Sequence, residues 1–415
     1  MPIFFLPFST LLSPYLGLLL AGIDFCSGRK YWRIDICIFA FFIAHFSYCY
    51  TPENVGPDLV RYFSYLDELK HLRFIDVLNY QYKGTNLFSF NFLVWICNLF
   101  GDQHLLPFFT SFSVYYIFFY CSYIIARDNG LTRRELLLFL LVASLCLDWY
   151  GITNNIRNVF AFSLVGFAAF EDLYLKNRGI PVILLYLLPI FIHPTAVLIV
   201  LIRLIVGFIK TNSMRLLLLL LTIMVNPAVS FLHLHIGSIT SNQLITFVIN
   251  KAYNYLFDYS SAYGIRTANS IRSLLARIAY LILVAIIIFI AFRIDEYRFA
   301  TNPIYTNNLF SFESFVVSIG LLALSCTFML RPEYWRFAAV MIVFSSSILS
   351  PYLLRVRKKK KGVMYYLLLV VALTCIVINW YQISWINSNQ LLIDSITKIP
   401  LVNIFIDLAN FLRGY

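Results

Sequence analysis

Charge is what this sequence has least of. Only 13% of its 415 residues are Asp, Glu, Lys or Arg, about half the share of a soluble domain. That excludes a water-facing surface of ordinary extent. Glycine is scarce as well, with 16 in the chain and no small-xxx-small series, which argues against small-residue helix packing as the main theme. There is no His-Glu-x-x-His, no phosphate-cradling glycine loop and no nucleophile elbow. The eight cysteines (Cys26, Cys37, Cys49, Cys97, Cys121, Cys146, Cys326 and Cys375) stand at no metal-ligand spacing, and most lie in apolar runs. They read as small apolar residues. His233 and His235 lack a third partner for a metal, so no metal and no cofactor is expected. No internal repeat is visible, which weakens a transporter reading. The N-terminus has neither a basic n-region nor a small-residue cleavage site, and is expected to remain as the first transmembrane helix.

What the chain does have is apolar length. Mean hydropathy is +0.79. A hydrocarbon core about 30 Å thick takes roughly 20 apolar residues per helix. Such runs recur at about 4–23, 34–50, 105–126, 136–151, 156–174, 180–193, 194–209, 215–232, 271–292, 307–330, 337–354 and 363–382. The expected fold is an all-α polytopic membrane bundle of about 12 spans, one membrane domain over 1–415.

Basic residues set its orientation. Arg29, Lys30 and Arg33 fall in one loop, and Arg127, Arg133 and Arg134 in another. Lys176 and Arg178, Lys210 and Arg215, and Arg293 and Arg298 follow, then the run Arg355, Arg357, Lys358, Lys359, Lys360 and Lys361. With twelve spans these six loops share one side, which the positive-inside rule makes cytoplasmic. They also account for the net charge of +12 as lipid anchoring rather than nucleic-acid binding. This parity holds if 87–101, only 15 residues long, is re-entrant or interfacial. The short runs 180–193 and 194–209 meet at His193-Pro194 and read as a helical hairpin.

The opposite face then carries outer segments at about 51–104 and 233–270, and a C-terminal outer segment at about 383–415. Asp58, Arg61, Tyr62 and Tyr65 lie three or four residues apart, on one face of a helix, with Pro57 suited to its first turn. Alone, this reads as an amphipathic helix in the headgroup layer, with both tyrosines in the aromatic belt. Asn154, Asn155, Arg157 and Asn158 open a span on the same side. Arg331, Glu333 and Arg336 stand where two spans meet, and His193 tips the hairpin. Each arginine alone can snorkel to lipid phosphate. Together Arg61, Arg157, Arg266, Arg272, Arg331 and Arg336 exceed the nearby acids Asp58, Asp258 and Glu333. Such an excess suits a membrane-borne phosphate or pyrophosphate, which arginine binds bidentately.

Three stretches resemble the EpsG-like and Wzy-type polysaccharide polymerases of bacterial envelopes. Asp58-Leu59-Val60-Arg61-Tyr62 is similar to the family's Asp-x-x-x-Tyr. Asn155-Ile156-Arg157-Asn158-Val159-Phe160-Ala161 is similar to Gly-Ile-Arg-Gln-x-x-Ala, and Phe191-Ile192-His193-Pro194-Thr195-Ala196 to Phe-x-His-x-Ser-Ala. Glu333-Tyr334-Trp335-Arg336-Phe337 is a weaker match. Asn155 replaces the usual Gly, Asn158 replaces Gln, and the Tyr expected after Arg336 is absent. The motifs cover about 60–200.

The resemblance implies a glycosyltransferase-type enzyme that joins undecaprenyl-pyrophosphate-linked oligosaccharide repeat units, as for O-antigen, lipopolysaccharide or capsule. It implies a multi-pass protein of the bacterial inner membrane with its site facing the periplasm. Donor and acceptor would both be lipid-linked, with membrane lipids, a chain-length regulator and a flippase as partners, and no nucleic acid. The resemblance assigns catalysis to Arg157, His193 and Asp58, the latter two as alternative bases. Arg61, Tyr62, Asn155, Arg266, Arg272, Arg331, Glu333 and Arg336 would bind substrate. A lipid-linked glycan flippase, a membrane acyltransferase with His193 as base, and a glycan ligase are the competing readings.

Overall fold

The computed structural model describes residues 4–28, 31–52, 58–82, 85–239, 271–294, 303–328, 333–359 and 388–400, with isolated positions in 246–253, 370–377 and 402–409. The regular elements among them are helices apart from one two-residue-per-strand hairpin, so the all-α expectation holds. The first apolar run is not one straight helix. It breaks at Ser13, whose extended backbone separates α1 (Phe5–Leu12) from α2 (Pro14–Ser27). The Ser13 hydroxyl caps Leu16 N–H, and Pro14 sits in the first turn, where its missing N–H costs nothing. The chain turns back so closely that Gly17 has no room for a Cβ beside Thr10.

Among the described residues three helices are long and apolar enough to cross a membrane: α3 (Trp32–Cys49), the next long helix Leu105–Asp128, and Asn307–Cys326. Shorter apolar helices of 10–17 residues fill much of the remainder. Between the first two lie α4 (Asp58–Leu69), α5 (Phe74–Asn79), the hairpin β1 (Gln81–Tyr82) and β2 (Thr85–Asn86), and α6 (Phe88–Phe100). Gln81 faces Asn86 and Tyr82 faces Thr85 in antiparallel register. At 13 residues, α6 is about 20 Å long, short of a bilayer crossing as its sequence suggests. Gly101, at φ +71°, ends it.

The helix α7 (Leu105–Asp128) packs chiefly along α3, through ring contacts such as Phe39–Phe119 at 5.8 Å and Phe41–Phe108 at 5.4 Å. A capping box of Thr132 and Glu135 starts α8 (Arg133–Leu145). Asp148 caps α9 (Trp149–Asn154) by accepting Gly151 N–H at 2.6 Å. Asn155 then leaves helical geometry (φ −100°, ψ 50°), and α10 (Ile156–Ala169) begins anew and ends in a π turn at Phe170–Tyr174.

The chain reverses through α11 (Ile180–Leu187), a 3-10 turn at Leu188–Phe191, and α12 (Ala196–Val206), as the expected hairpin requires, but the two helices pack on α10 rather than on each other. The hairpin's two feet share one carboxylate: Arg178 Nε donates to Asp172 Oδ1 at 2.9 Å, and Arg203 Nε to Asp172 Oδ2 at 2.6 Å. Beyond it lie α13 (Asn212–Ile239), α14 (Ile271–Ile294), α15 (Pro303–Phe328), α16 (Glu333–Phe344), α17 (Ser346–Lys359) and α18 (Ser388–Thr397). The run 337–354 is thus two helices, parted at Ser345. The run 363–382 falls largely outside the described residues.

Small residues are not the main theme of the packing, but three glycines matter at one helix. Gly151, Gly166 and Gly320 each face a large side chain of α16. A Cβ on Gly151 would lie 2.9 Å from the Trp335 ring, one on Gly320 would lie 2.5 Å from Met341 Sδ, and one on Gly166 would overlap the Phe344 ring. From Phe337 to Phe344 every residue of α16 is buried. A helix apolar all round belongs at the centre of a bundle, and these glycines let its neighbours close on it.

Candidate functional site

The site begins with α4. Its helical spacing is as the sequence implies, but its tyrosines do not lie in an aromatic belt. Tyr62 is 3% and Tyr65 2% exposed, because α4 is pressed against α6 rather than laid on lipid. Two asparagines inside the apolar α6 hold it there. Asn98 Nδ2 donates to Leu66 O at 3.0 Å. Asn91 Oδ1 accepts the Tyr65 hydroxyl at 2.7 Å, and Asn91 Nδ2 donates to Tyr80 O at 2.9 Å. Buried polar groups are placed by such bonds, so Asn91 locks α4, the hairpin and α6 together.

Arg157 enters this assembly from the first turn of α10. Its Nε donates to the Tyr62 hydroxyl at 3.1 Å. Its guanidinium carbon lies 4.6 Å from the centre of the Tyr82 ring, 5.4 Å from that of Tyr62 and 5.5 Å from that of Phe90. Three aromatic rings thus cage one cation, each contact worth about 0.5–2 kcal/mol. No carboxylate among the described residues pairs with Arg157, and no bond to its two terminal nitrogens occurs among them. Tyr62 is pushed above the ordinary phenol range by burial, an effect that the Arg157 charge opposes. Its hydroxyl therefore stays protonated. Since it accepts from Arg157, its own proton points elsewhere as a donor. Tyr65 is raised likewise, first by burial and then by Tyr80.

His193 sits at the hairpin tip, where its N–H bonds Pro189 O and its carbonyl accepts Ala196 N–H, both at 2.9 Å. Its ring meets the edge of Phe162 at 5.8 Å, and Phe162 stacks on Phe337 of α16 at 5.4 Å and 2°. Phe88, two residues from the cage, packs on Phe191, two residues from His193, at 4.5 Å. The segments with Tyr62, Arg157, His193 and Phe337 therefore converge around the upper half of α10, and Arg336 stands in the first turn of α16 beside Phe337.

Other candidates fare differently. Arg61 turns to Asp58 within α4, with Nη2 3.0 Å from Oδ1, so this acid is already engaged. Asn155 forms the kink between α9 and α10, its amide 3.5 Å from Gly151 O, and acts on Arg157 by placing its helix. Arg266 and Arg331 lie outside the described residues, as does Asp258, and so do the side chains of Arg272 and Glu333. His233 bonds Asn250 Oδ1 at 3.0 Å and stacks on Tyr253 at 3.7 Å. No group of three metal-binding side chains occurs among the described residues.

Tyr82, Phe90 and Asn91 are the residues that sequence reasoning misses. Asn91, a lone amide in an apolar run, was the signal for a tether. The rings carried no signal, since nothing local links them to Arg157.

A family model of the EpsG family matches residues 29–392. No curated protein and no solved structure matches the chain.

Proposed function

The chain belongs to the EpsG family of membrane proteins of polysaccharide biosynthesis, and from that premise we propose that it polymerises lipid-linked oligosaccharide repeats at the outer face of the bacterial inner membrane. The caged Arg157 carries the reading. A guanidinium with its Nε taken by Tyr62, its faces covered by rings and no carboxylate partner among the described residues keeps a terminal edge for an anion. Arginine is the side chain best suited to bind a pyrophosphate in a fork.

In the proposed reaction an acceptor sugar hydroxyl attacks the anomeric carbon of the donor repeat. The new C–O bond replaces the bond to pyrophosphate, which departs on its undecaprenyl carrier. Arg157, with Arg336 as a second ligand, stabilises the charge that develops on it. The hydroxyl proton passes to a base. His193 is favoured for this over Asp58, which is committed to Arg61.

Support against a flippase comes from where buried charges fall. Asp172 joins the basic 176–178 loop through Arg178, and Glu313 lies 3.9 Å from Arg215, next to the basic loop of Lys210. Both groups sit at the end opposite Arg157 rather than in a midplane cavity.

Replacing Arg157 by Ala in a strain lacking the native gene tests the function. The expected outcome is lipid-capped single repeats in place of a polymer ladder on glycan electrophoresis, with no rescue by Lys, which cannot bind in a fork. Long polymer from Arg157→Ala at normal expression would sink the reading. A normal ladder without acetyl groups on deletion would select an acyltransferase.

A further inference from the structure

We infer that Tyr82, carried on the β1–β2 hairpin, is the positioning residue that aims Arg157 at its anion, so that the hairpin rather than α10 sets the grip on the lipid-linked donor. The inference rests on the pyrophosphate reading above and assigns the hairpin a role within it.

An arginine has four rotatable side-chain bonds and, with no carboxylate to hold it, would sample many orientations. Among the described residues only one nitrogen is bonded, to Tyr62 at 3.1 Å. A single bond leaves rotation about itself, so something must fix the plane. Tyr82 makes the nearest ring contact, 4.6 Å against 5.4 and 5.5 Å for Tyr62 and Phe90. Its ring is itself fixed, edge-on to Tyr65 at 4.8 Å and 75°. Tyr65 is anchored through its hydroxyl to Asn91, and Asn91 bonds Tyr80 O at the root of the same hairpin. The chain of support from Asn91 through Tyr65 to Tyr82 closes on itself without involving α10. The rings also leave the positive charge intact, where a carboxylate would cancel it. That is the arrangement a site needs when the incoming ligand is to be the only counter-anion.

The experiment uses the full chain in lipid nanodiscs, with undecaprenyl pyrophosphate as the binding probe and lipid-linked repeat units for turnover. Tyr82→Phe should bind like the native protein, because the face is kept. Tyr82→Leu, apolar but without the π face, should weaken binding and raise KM by about 3- to 30-fold, with kcat changed less than about threefold. Mono-, di- and trifluorophenylalanine at position 82 keep the shape while draining the ring face. The inference expects a stepwise loss of affinity along that series, which a purely structural role would not give, and the series stays informative even where Tyr82→Leu fails to fold. Unchanged affinity across the series overturns the inference. Arg157→Ala is measured in parallel. If it binds the probe normally, the pyrophosphate reading has failed. If it loses the probe while the fluorinated series is flat, only the role of Tyr82 has.

Discussion

Arg215 and Arg157 place the same side chain in opposite situations. Arg215 spends its donors inside the protein: Nε on Ser314 Oγ at 2.8 Å, Nη1 on Asn212 Oδ1 at 3.2 Å and Nη2 on Phe310 O at 3.1 Å. Its guanidinium carbon lies 3.9 Å from the centre of the Phe310 ring, and Glu313 stands 3.9 Å from Nη2, both charged side chains being essentially inaccessible. Such a group cannot bind a ligand, and its loss is a matter of stability. Arg215→Met leaves Glu313 buried without its counter-charge and should cost about 3–5 kcal/mol. Adding Glu313→Gln should restore most of that, because removing both charges avoids the stranded one. Thermal unfolding of the native protein and the two variants in detergent checks this, and a double variant no better than the single one would contradict it. The sequence places Arg215 beside Lys210 as one more basic topology marker. Its true role is illegible there, because Ser314 and Glu313 reach it from a distant helix. The same limit hides Tyr82 from Arg157, whereas the pairing of Asp58 with Arg61, three residues apart, can be read from spacing alone.

At the scale of elements, local chemistry was legible and tertiary contact was not. The spacing of Asp58, Arg61, Tyr62 and Tyr65 specifies α4. The 180–209 hairpin follows from two short apolar runs around His193-Pro194. Asn155 falls in the gap between the runs 136–151 and 156–174, but the breaks at Ser13 and Ser345 do not stand out, because each falls inside an apolar run that reads as continuous. The centrality of α16 is hidden for a different reason. It depends on three glycines from three other helices, and glycine frequency says nothing of what each glycine faces. This gives a sharp test. Gly166→Ala places a methyl against the Phe344 ring and should destabilise by about 1–3 kcal/mol through overpacking. Phe344→Leu should relieve it, so that the double variant unfolds later than Gly166→Ala alone. Because α16 also presents Phe337 to Phe162 and thence to His193, Gly166→Ala should lower polymer yield beyond its loss of folded protein, measured as ladder per unit of folded chain. Additive losses in the double variant would mean that the two side chains do not meet.

For the whole molecule, α10 with its π turn is the measuring rod. Arg157 stands at one end and Asp172, gripped by Arg178 and Arg203, at the other. Fifteen residues separate them, about 23 Å along a helix axis, which is most of the thickness of a hydrocarbon core. On the proposed reading the caged cation and the acid-bound hairpin feet lie near opposite faces of the membrane. In the proposed orientation the basic loops and the feet are cytoplasmic and the cage lies outside, where an enzyme acting on translocated lipid-linked glycan has to work. The helix α6 decides the parity, since treating it as a crossing would invert everything after residue 101. Single cysteines at Gln103, after α6, and at Asn177, beside the hairpin feet, address this with a membrane-impermeant thiol reagent on intact spheroplasts. Gln103→Cys should be labelled from outside. Asn177→Cys should react only once the membrane is opened. The native cysteines interfere little, as those described are buried or half-buried. Labelling of Asn177→Cys from outside would place Arg157 on the cytoplasmic side. A polymerase of translocated glycans would then be excluded, however the cage binds its anion.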